Sequence, residues 1–168
     1  FDPEKTQYVL FHLNPKARFS DGSAVTAQDV KFSFDAYQTK SNPGLQMYLS
    51  DLAKTEVLSK YVVKMSFKSD NNAEMPLILS QLPIYSKQDW QKKDFSRVTL
   101  QPILGSGPYL IERIDAGRSI SYKRNPNYWG RDLAVNKGRY NFDRLKYVYY
   151  RSLDIAFEGF KSGQYTLH

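Results

Sequence analysis

Cysteine is absent from the 168 residues. That excludes disulfides, thiolate metal centres and cysteine nucleophiles, and it leaves either redox compartment open. Histidine is nearly as scarce, at two residues. His12 lies inside an apolar stretch and His168 is terminal, so the two have no metal-ligand spacing. A lone histidine in a strand reads as structural before it reads as a base or a switch. No run approaches the roughly 20 apolar residues that cross a bilayer. The opening Phe1-Asp2-Pro3-Glu4 carries no secretory leader pattern.

Catalytic constellations are missing as well. Ser106 stands between two glycines, but a nucleophile elbow needs a further glycine where residue 104 is Leu. The same loop runs into Pro108-Tyr109 and not into a helix, so it lacks the helix N-terminus and lysine of a phosphate cradle. Asp51, Glu56, Asp70 and Glu74 are scattered through polar contexts and read as solvated surface. The residues commit to no catalytic group, no metal and no cofactor.

What is present is a foldable composition, 41% hydrophobic and 15% aromatic, with 13 tyrosines. A chain of this length can bury one core or two small lobes. The net charge of +7 is concentrated between Arg113 and Arg151, where ten basic residues meet only Asp115, Asp132 and Asp143. In residues 131–151, Lys137, Arg139, Arg144 and Lys146 alternate with Tyr140, Tyr147, Tyr149 and Tyr150. Cations that neutralise phosphates beside aromatics that stack bases would suit a nucleic-acid-binding module. The plainer reading is packed strand tyrosines beside solvated or paired arginines, and no RNA-binding signature accompanies the segment. Such a basic face could equally attract an anionic ligand, a membrane surface or a transporter subunit.

The periodicity predicts a mixed α/β chain. Residues 7–13 read as a buried strand, with Val9, Phe11 and Leu13 on one face and Tyr8 and Leu10 on the other. Asp21-Gly22 marks a turn, and Thr26 is placed to cap a helix running to about Thr39, with Asp29 near its positive end. A short helix over 45–52 follows the break at Ser41-Asn42-Pro43-Gly44. Residues 55–58 and 61–67 form a hairpin across Ser59-Lys60. Helices are expected over 73–81 and, capped by Ser86, over 86–93. The 102–108 stretch, with two prolines and two glycines, is the best boundary. Beyond it come a hairpin of 109–114 with 119–124, a turn at Asn125-Pro126-Asn127, a strand over 145–150, and a helix capped by Ser152 and stopped by Gly163.

The ordered motifs resemble a known family. They are Phe11-His12-Leu13, Phe19-Ser20-Asp21-Gly22, Thr26-Ala27-Gln28-Asp29-Val30, Gly105-Ser106-Gly107-Pro108-Tyr109, Arg124-Asn125-Pro126-Asn127-Tyr128-Trp129 and the stretch from Ala156 to Gly163. Together they resemble the bacterial extracellular solute-binding proteins of family 5, the oligopeptide-, dipeptide- and nickel-binding proteins of ABC importers. The run from Tyr128 to Asp143 looks like the branch associated with oligopeptides and peptide-like antibiotics such as microcin C. The resemblance implies a periplasmic-binding-protein fold of type II (cluster C), with mixed sheets and flanking helices, in which two lobes close on a ligand. It implies peptide or peptide-like cargo, ABC permease subunits as partners, no nucleic acid, no membrane span, and a periplasmic parent whose leader lies upstream. It also implies that residues 1–100 are the extra subdomain of the first lobe and 101–168 part of its main domain, with the second lobe elsewhere.

Ligand-facing positions of such proteins map here onto Gln46, Met47 and Tyr48, and onto Gln81, Leu82, Pro83, Ile84 and Tyr85. Tyrosine suits a cleft for varied peptides, since it offers a flat apolar face and one hydroxyl with few torsions to freeze. Tyr48 and Tyr85 are equally well explained by ordinary packing. The turn and cap motifs are read as architecture: Gly105 and Gly107 allow positive φ at the junction, and Trp129 anchors the turn after Pro126.

Overall fold

The computed structural model describes residues 7–69, 73–91, 93–97 and 99–166; Asp70 and His168 lie outside them. The first sheet is antiparallel and three-stranded, ordered β1-β3-β2 from β1 (Tyr8–His12), β2 (Leu52–Ser59) and β3 (Val62–Phe67). Strand alternation decides its faces. Val63, Met65 and Phe67 are buried, whereas Val62, Lys64 and Ser66 between them are only half-covered. β1 is an edge strand paired to β3, with Val9 opposite Met65 and Phe11 opposite Val63. It is therefore covered on one face alone. Val9 and Phe11 pack on the core while Tyr8 and Leu10 stay exposed, which corrects the expectation of a buried strand. The Lys64 ammonium lies 4.4 Å from the Tyr8 ring centroid and shields part of that outer face.

Helix α1 (Ala27–Lys40) covers the inner face of the sheet, presenting Ala27, Val30, Phe34 and Tyr37 at helical spacing. Its start is fixed by a capping box with Asp29. The Thr26 amide and hydroxyl both donate to Asp29 Oδ2, at 2.8 and 2.6 Å. Asn42 then caps α2 (Pro43–Tyr48) by accepting from Leu45 N at 3.0 Å. This helix starts two residues before the expected 45–52 span because proline at its first position needs no amide partner. It ends early because Leu52 is required opposite Phe67 in β2. Two more short helices follow, α3 (Met75–Gln81) and α4 (Lys87–Trp90), the latter capped by Ser86.

Two of the surface carboxylates prove to be engaged. Asp51 is half-buried and accepts from Ser69 N and Oγ at 3.0 and 2.8 Å, closing the open end of the β2–β3 hairpin. It is not simply solvated. Glu56 pairs with Lys54 at 2.7 Å on the surface.

The second sheet, ordered β4-β5-β6, is also antiparallel and contains β4 (Tyr109–Asp115), β5 (Ser119–Arg124) and β6 (Arg144–Val148). Its β4–β5 turn depends on Gly117, whose φ of 73° is available to glycine at no steric cost. Helix α5 (Leu153–Lys161) is capped by Ser152 and closed by Gly163, also at φ 73°. Gln164 N then donates to Gly159 O at 3.0 Å and Gly163 N to Phe160 O at 2.9 Å, the two bonds of a Schellman stop.

The loops flanking the two sheets meet where Ala17, Phe19 and Val25 pack with Leu104, Ile84 and Trp129. Ser20 N donates to Gly105 O at 2.8 Å, and the Trp129 indole donates to Ser106 O at 3.0 Å. Trp129 thus anchors the 105–107 loop rather than only its own turn. Neither Gly105 nor Gly107 has positive φ, and a Cβ at either would meet nothing within 4 Å. The expected conformational reason for those glycines is wrong, and the structure supplies no steric one in its place.

Asp29 holds the cap and also accepts from Lys87 N at 2.8 Å while buried. Thr26→Ala is expected to destabilise by about 1 kcal/mol, the usual value of a lost cap. Asp29→Ala is expected to cost more, about 2–3 kcal/mol, because it also strands a part-buried amide. Urea denaturation of the two variants orders them, and equal losses would refute the second role of Asp29.

Candidate functional site

The segment leading from α3 into α4 lies along α1 in an extended conformation and is stitched to it at three points. Tyr37 Oη donates to Pro83 O at 2.7 Å, Tyr85 N donates to Ser33 Oγ at 2.8 Å, and Lys87 N donates to Asp29 Oδ1 at 2.8 Å. The spacing explains itself. Residues 29, 33 and 37 are four apart on one helical stripe, which advances about 6 Å per step. Residues 83, 85 and 87 are two apart in an extended chain, which advances about 6.6 Å per step. The two rulers match over three contacts. Ser33 is fully buried and hands its own proton to Asp29 O at 2.7 Å, so both of its hydrogen-bonding roles are used.

Ile84 packs against both apolar clusters, the main core and the Phe19 cluster, and so joins them. With Leu82, Phe11, Phe34 and Leu79 it also lines an apolar hollow of about 160 Å³. Tyr85 enters an aromatic cluster, edge-on to Tyr37 (5.9 Å between centroids), Trp90 (5.4 Å) and Phe95 (5.1 Å). Burial, with Tyr85 adding, pushes the Tyr37 phenol far above the ordinary tyrosine range. It therefore stays a hydrogen-bond donor throughout the physiological range.

The first group of candidate residues reaches the same helix end. Gln46 Nε2 donates to Ser41 O at 2.6 Å, and Ser41 Oγ donates to Tyr37 O at 2.5 Å. Gln46 is thus tied to the C-terminal turn of α1, whose Tyr37 holds Pro83. Met47 and Tyr48 are 77% and 54% exposed on α2, and among the described residues neither side chain has a hydrogen-bond partner. Gln81 is exposed and folds back on Leu77 O. The candidates therefore divide into a half-buried pair on the segment along α1 (Ile84, Tyr85) and an exposed set (Met47, Tyr48, Gln81 and Pro83, the last tied to α1 through its carbonyl), with Gln46 half-buried on α2. Sequence reasoning missed Ser33 and the second bond of Asp29. The available signal was a pair of small polar residues four apart on the apolar stripe of a helix.

The basic segment is partly neutralised within the chain. Arg144 forks onto Glu112 at 2.9 and 3.0 Å, and Arg124 meets Asp143 at 2.6 Å. The Arg144 guanidinium, with Lys123 nearby, holds the Glu112 carboxyl below its usual range. His12 is exposed at the end of β1. Among the described residues no group of acidic or histidine side chains could hold a metal, and no helix is long and apolar enough to cross a membrane.

A family model for the bacterial extracellular solute-binding proteins, family 5 (middle), matches residues 3–167. The chain belongs to that family. A putative binding protein of Brucella melitensis biotype 1 is 39% identical over 96% of this chain and 26% of its own length. The probable peptide-binding protein YejA of Agrobacterium fabrum is 38% identical over 96% of this chain and 27% of its own. The peptidoglycan-binding protein YepA of the same organism is 36% identical over the whole chain and 27% of its own length. The chain thus spans about a quarter of these relatives.

Among solved structures, NikZ from Campylobacter jejuni in complex with Ni(L-His) superposes with a TM-score of 0.79 at 21% identity, over 96% of this chain and 31% of that one. The periplasmic oligopeptide-binding protein of an oligopeptide ABC transporter from Thermotoga maritima gives 0.74 at 22% identity, over 94% and 30%. These likenesses establish the fold, a mixed α/β arrangement shared with part of those binding proteins. The family read from the ordered motifs is the family found.

Ser33→Ala leaves Tyr85 N without its partner and is expected to cost about 1–3 kcal/mol. Tyr37→Phe removes the neighbouring stitch at similar cost. Because both hold one segment, the double variant should fall short of additivity by about 0.5 kcal/mol or more in a denaturation cycle. Strict additivity would mean that the stitches act independently.

Proposed function

We propose that the protein containing this chain is the solute-capturing component of an ABC importer, working in the periplasm and passing its cargo to permease subunits. The cargo class is oligopeptides or peptide-like solutes. The observation that carries this reading is the family match over nearly the whole chain, joined to relatives at 36% and 38% identity named for peptidoglycan and peptide binding. Peptides of the cell wall and peptide antibiotics such as microcin C fall within the same chemistry of repeated amides and varied side chains.

In this reading residues 1–100 form the extra subdomain of the first lobe and 101–168 part of its main domain, while the facing lobe lies elsewhere in the parent. Gln46, Met47, Tyr48, Gln81, Pro83, Ile84 and Tyr85 face the cargo. The exposure of Met47 and Tyr48 on a short helix supports direct contact for those two, since large apolar side chains left in water favour being covered. Pro83 and Tyr85, held by α1, would set the position of the wall and not its chemistry. With the facing lobe removed, the 168-residue chain alone should bind peptide weakly or not at all.

The test is mass spectrometry of the ligand released on denaturing the full-length protein purified from its native host. Short peptides or peptidoglycan fragments are the expected outcome; nucleotides or oligonucleotides would overturn the reading. As a residue-level check, Met47→Ala with Tyr48→Ala in the full-length protein should weaken peptide binding about tenfold without moving the melting temperature. Unchanged affinity would remove α2 from the site.

A further inference from the structure

The second sheet carries a groove of about 670 Å³ that none of the candidate cargo-facing residues lines. Its charged lining is Lys123, Arg124, Arg131, Arg139 and Arg144 against Asp143 alone. Strand register creates part of this crowding: Lys123 on β5 is paired directly with Arg144 on β6, and like charges opposite one another on adjacent strands repel. Glu112 and Asp143 engage Arg144 and Arg124. Arg139 has no ion pair among the described residues, and Arg131 has only a contact of 3.5 Å with Asp132, both side chains being largely in water.

The loop that presents these two arginines is held in shape. Asn136 Nδ2 donates to Gly130 O at 2.8 Å and to Tyr128 Oη at 3.3 Å, tying its two sides together. Glycine at 130 suits this closure, because a Cβ there would lie 2.6 Å from the Tyr128 hydroxyl and would displace that ring. Tyr140 takes a φ of 58°, unusual for a bulky side chain. Its ring meets Tyr128 edge-on, with 6.0 Å between centroids. Arg131 and Arg139 thus sit at the two ends of a closed loop on one groove.

We propose that this groove binds a small polyanion carrying phosphate groups, with Arg131 and Arg139 as its principal ligands. The guanidinium fork matches phosphate oxygens in pairs and remains charged at all working pH. The volume lies within the range of small-molecule pockets, roughly 300–1,000 Å³. A clustered positive charge of this kind raises the local concentration of anions and is relieved by one. The source of the phosphate is a free solute or the headgroup of an anionic lipid, and the two separate experimentally.

The test uses the full-length protein and pyrophosphate in low-salt calorimetry. Saturable binding is expected. Arg131→Ala with Arg139→Ala should weaken it about tenfold or more, while Arg151→Ala, outside the groove, should leave it unchanged. Asn136→Ala, which alters no charge, should also weaken it; a loose cationic patch would not respond to that change. If the alanine pair lowers the melting temperature, Arg131→Gln with Arg139→Gln repeats the measurement at these exposed positions. Sedimentation with phosphatidylglycerol vesicles, displaced by pyrophosphate, supports the site and assigns a headgroup. Pyrophosphate binding without vesicle binding supports it and assigns a free solute. Absence of saturable binding, equal losses in the groove pair and in Arg151→Ala, or tighter binding of a single-stranded oligonucleotide would each overturn the proposal.

Discussion

The agreement between a helical and an extended repeat along α1 is the constraint on which the first sheet's surroundings depend. Three hydrogen bonds, from residues 29, 33 and 37 to residues 87, 85 and 83, fix a segment that has no sheet of its own to join. A free extended segment would leave its amides and carbonyls to water or to chance partners. Here every second residue is spoken for by the helix, and the residues between are released to pack. Ile84 uses that freedom to bridge two apolar clusters; Tyr85, bound to Ser33 through its amide, carries its ring into the Trp90–Phe95 group. The rigidity of this wall is imposed from α1. Its chemistry, if it meets a cargo, comes from the side chains that α1 leaves free.

The junction between the sheets is built on a different principle. It rests on a small apolar cluster and two long-range hydrogen bonds, Ser20 to Gly105 and Trp129 to Ser106. Both bonds end on backbone carbonyls of the 105–107 loop. Such bonds specify where the loop runs without demanding particular side chains from it. The motif residues around it serve as connectors in the fold.

How much of this was legible in the sequence follows from how local each cause is. Thr26, Ser86, Ser152 and Gly163 act within a few residues of themselves, and their caps and stops fall where the sequence puts them. Hairpins with short polar turns were equally readable. The errors come from long-range causes. Whether β1 is covered on one face or two depends on its position at a sheet edge, which no pattern within residues 7–13 encodes. Asp51 looked solvated because its partner, Ser69, enters only when the hairpin closes. Gly105 and Gly107 allow positive φ at the junction, but the chain places that conformation at Gly22, Gly117, Gly138 and Gly163. In the candidate site, Tyr85 was named by resemblance, but the serine that positions it lies 52 residues away.

Charge is the feature that sequence located and structure redistributed. All of the excess lies between Arg113 and Arg151, which reads as one basic stripe. Folding divides it into pairs and remainders. Surface pairs such as Arg124–Asp143 contribute little to stability, typically no more than about 1 kcal/mol, so their value lies in what they leave unpaired. By occupying Arg124 and Arg144, Asp143 and Glu112 leave Arg131 and Arg139, on a loop closed by Asn136, as the groove's arginines without a close carboxylate partner. Screening limits the reach of any exposed charge to about 8 Å at physiological salt. A field so confined acts as a local recognition element and not as a diffuse attraction for any polyanion, and it is the closed loop, more than the count of arginines, that gives it a shape.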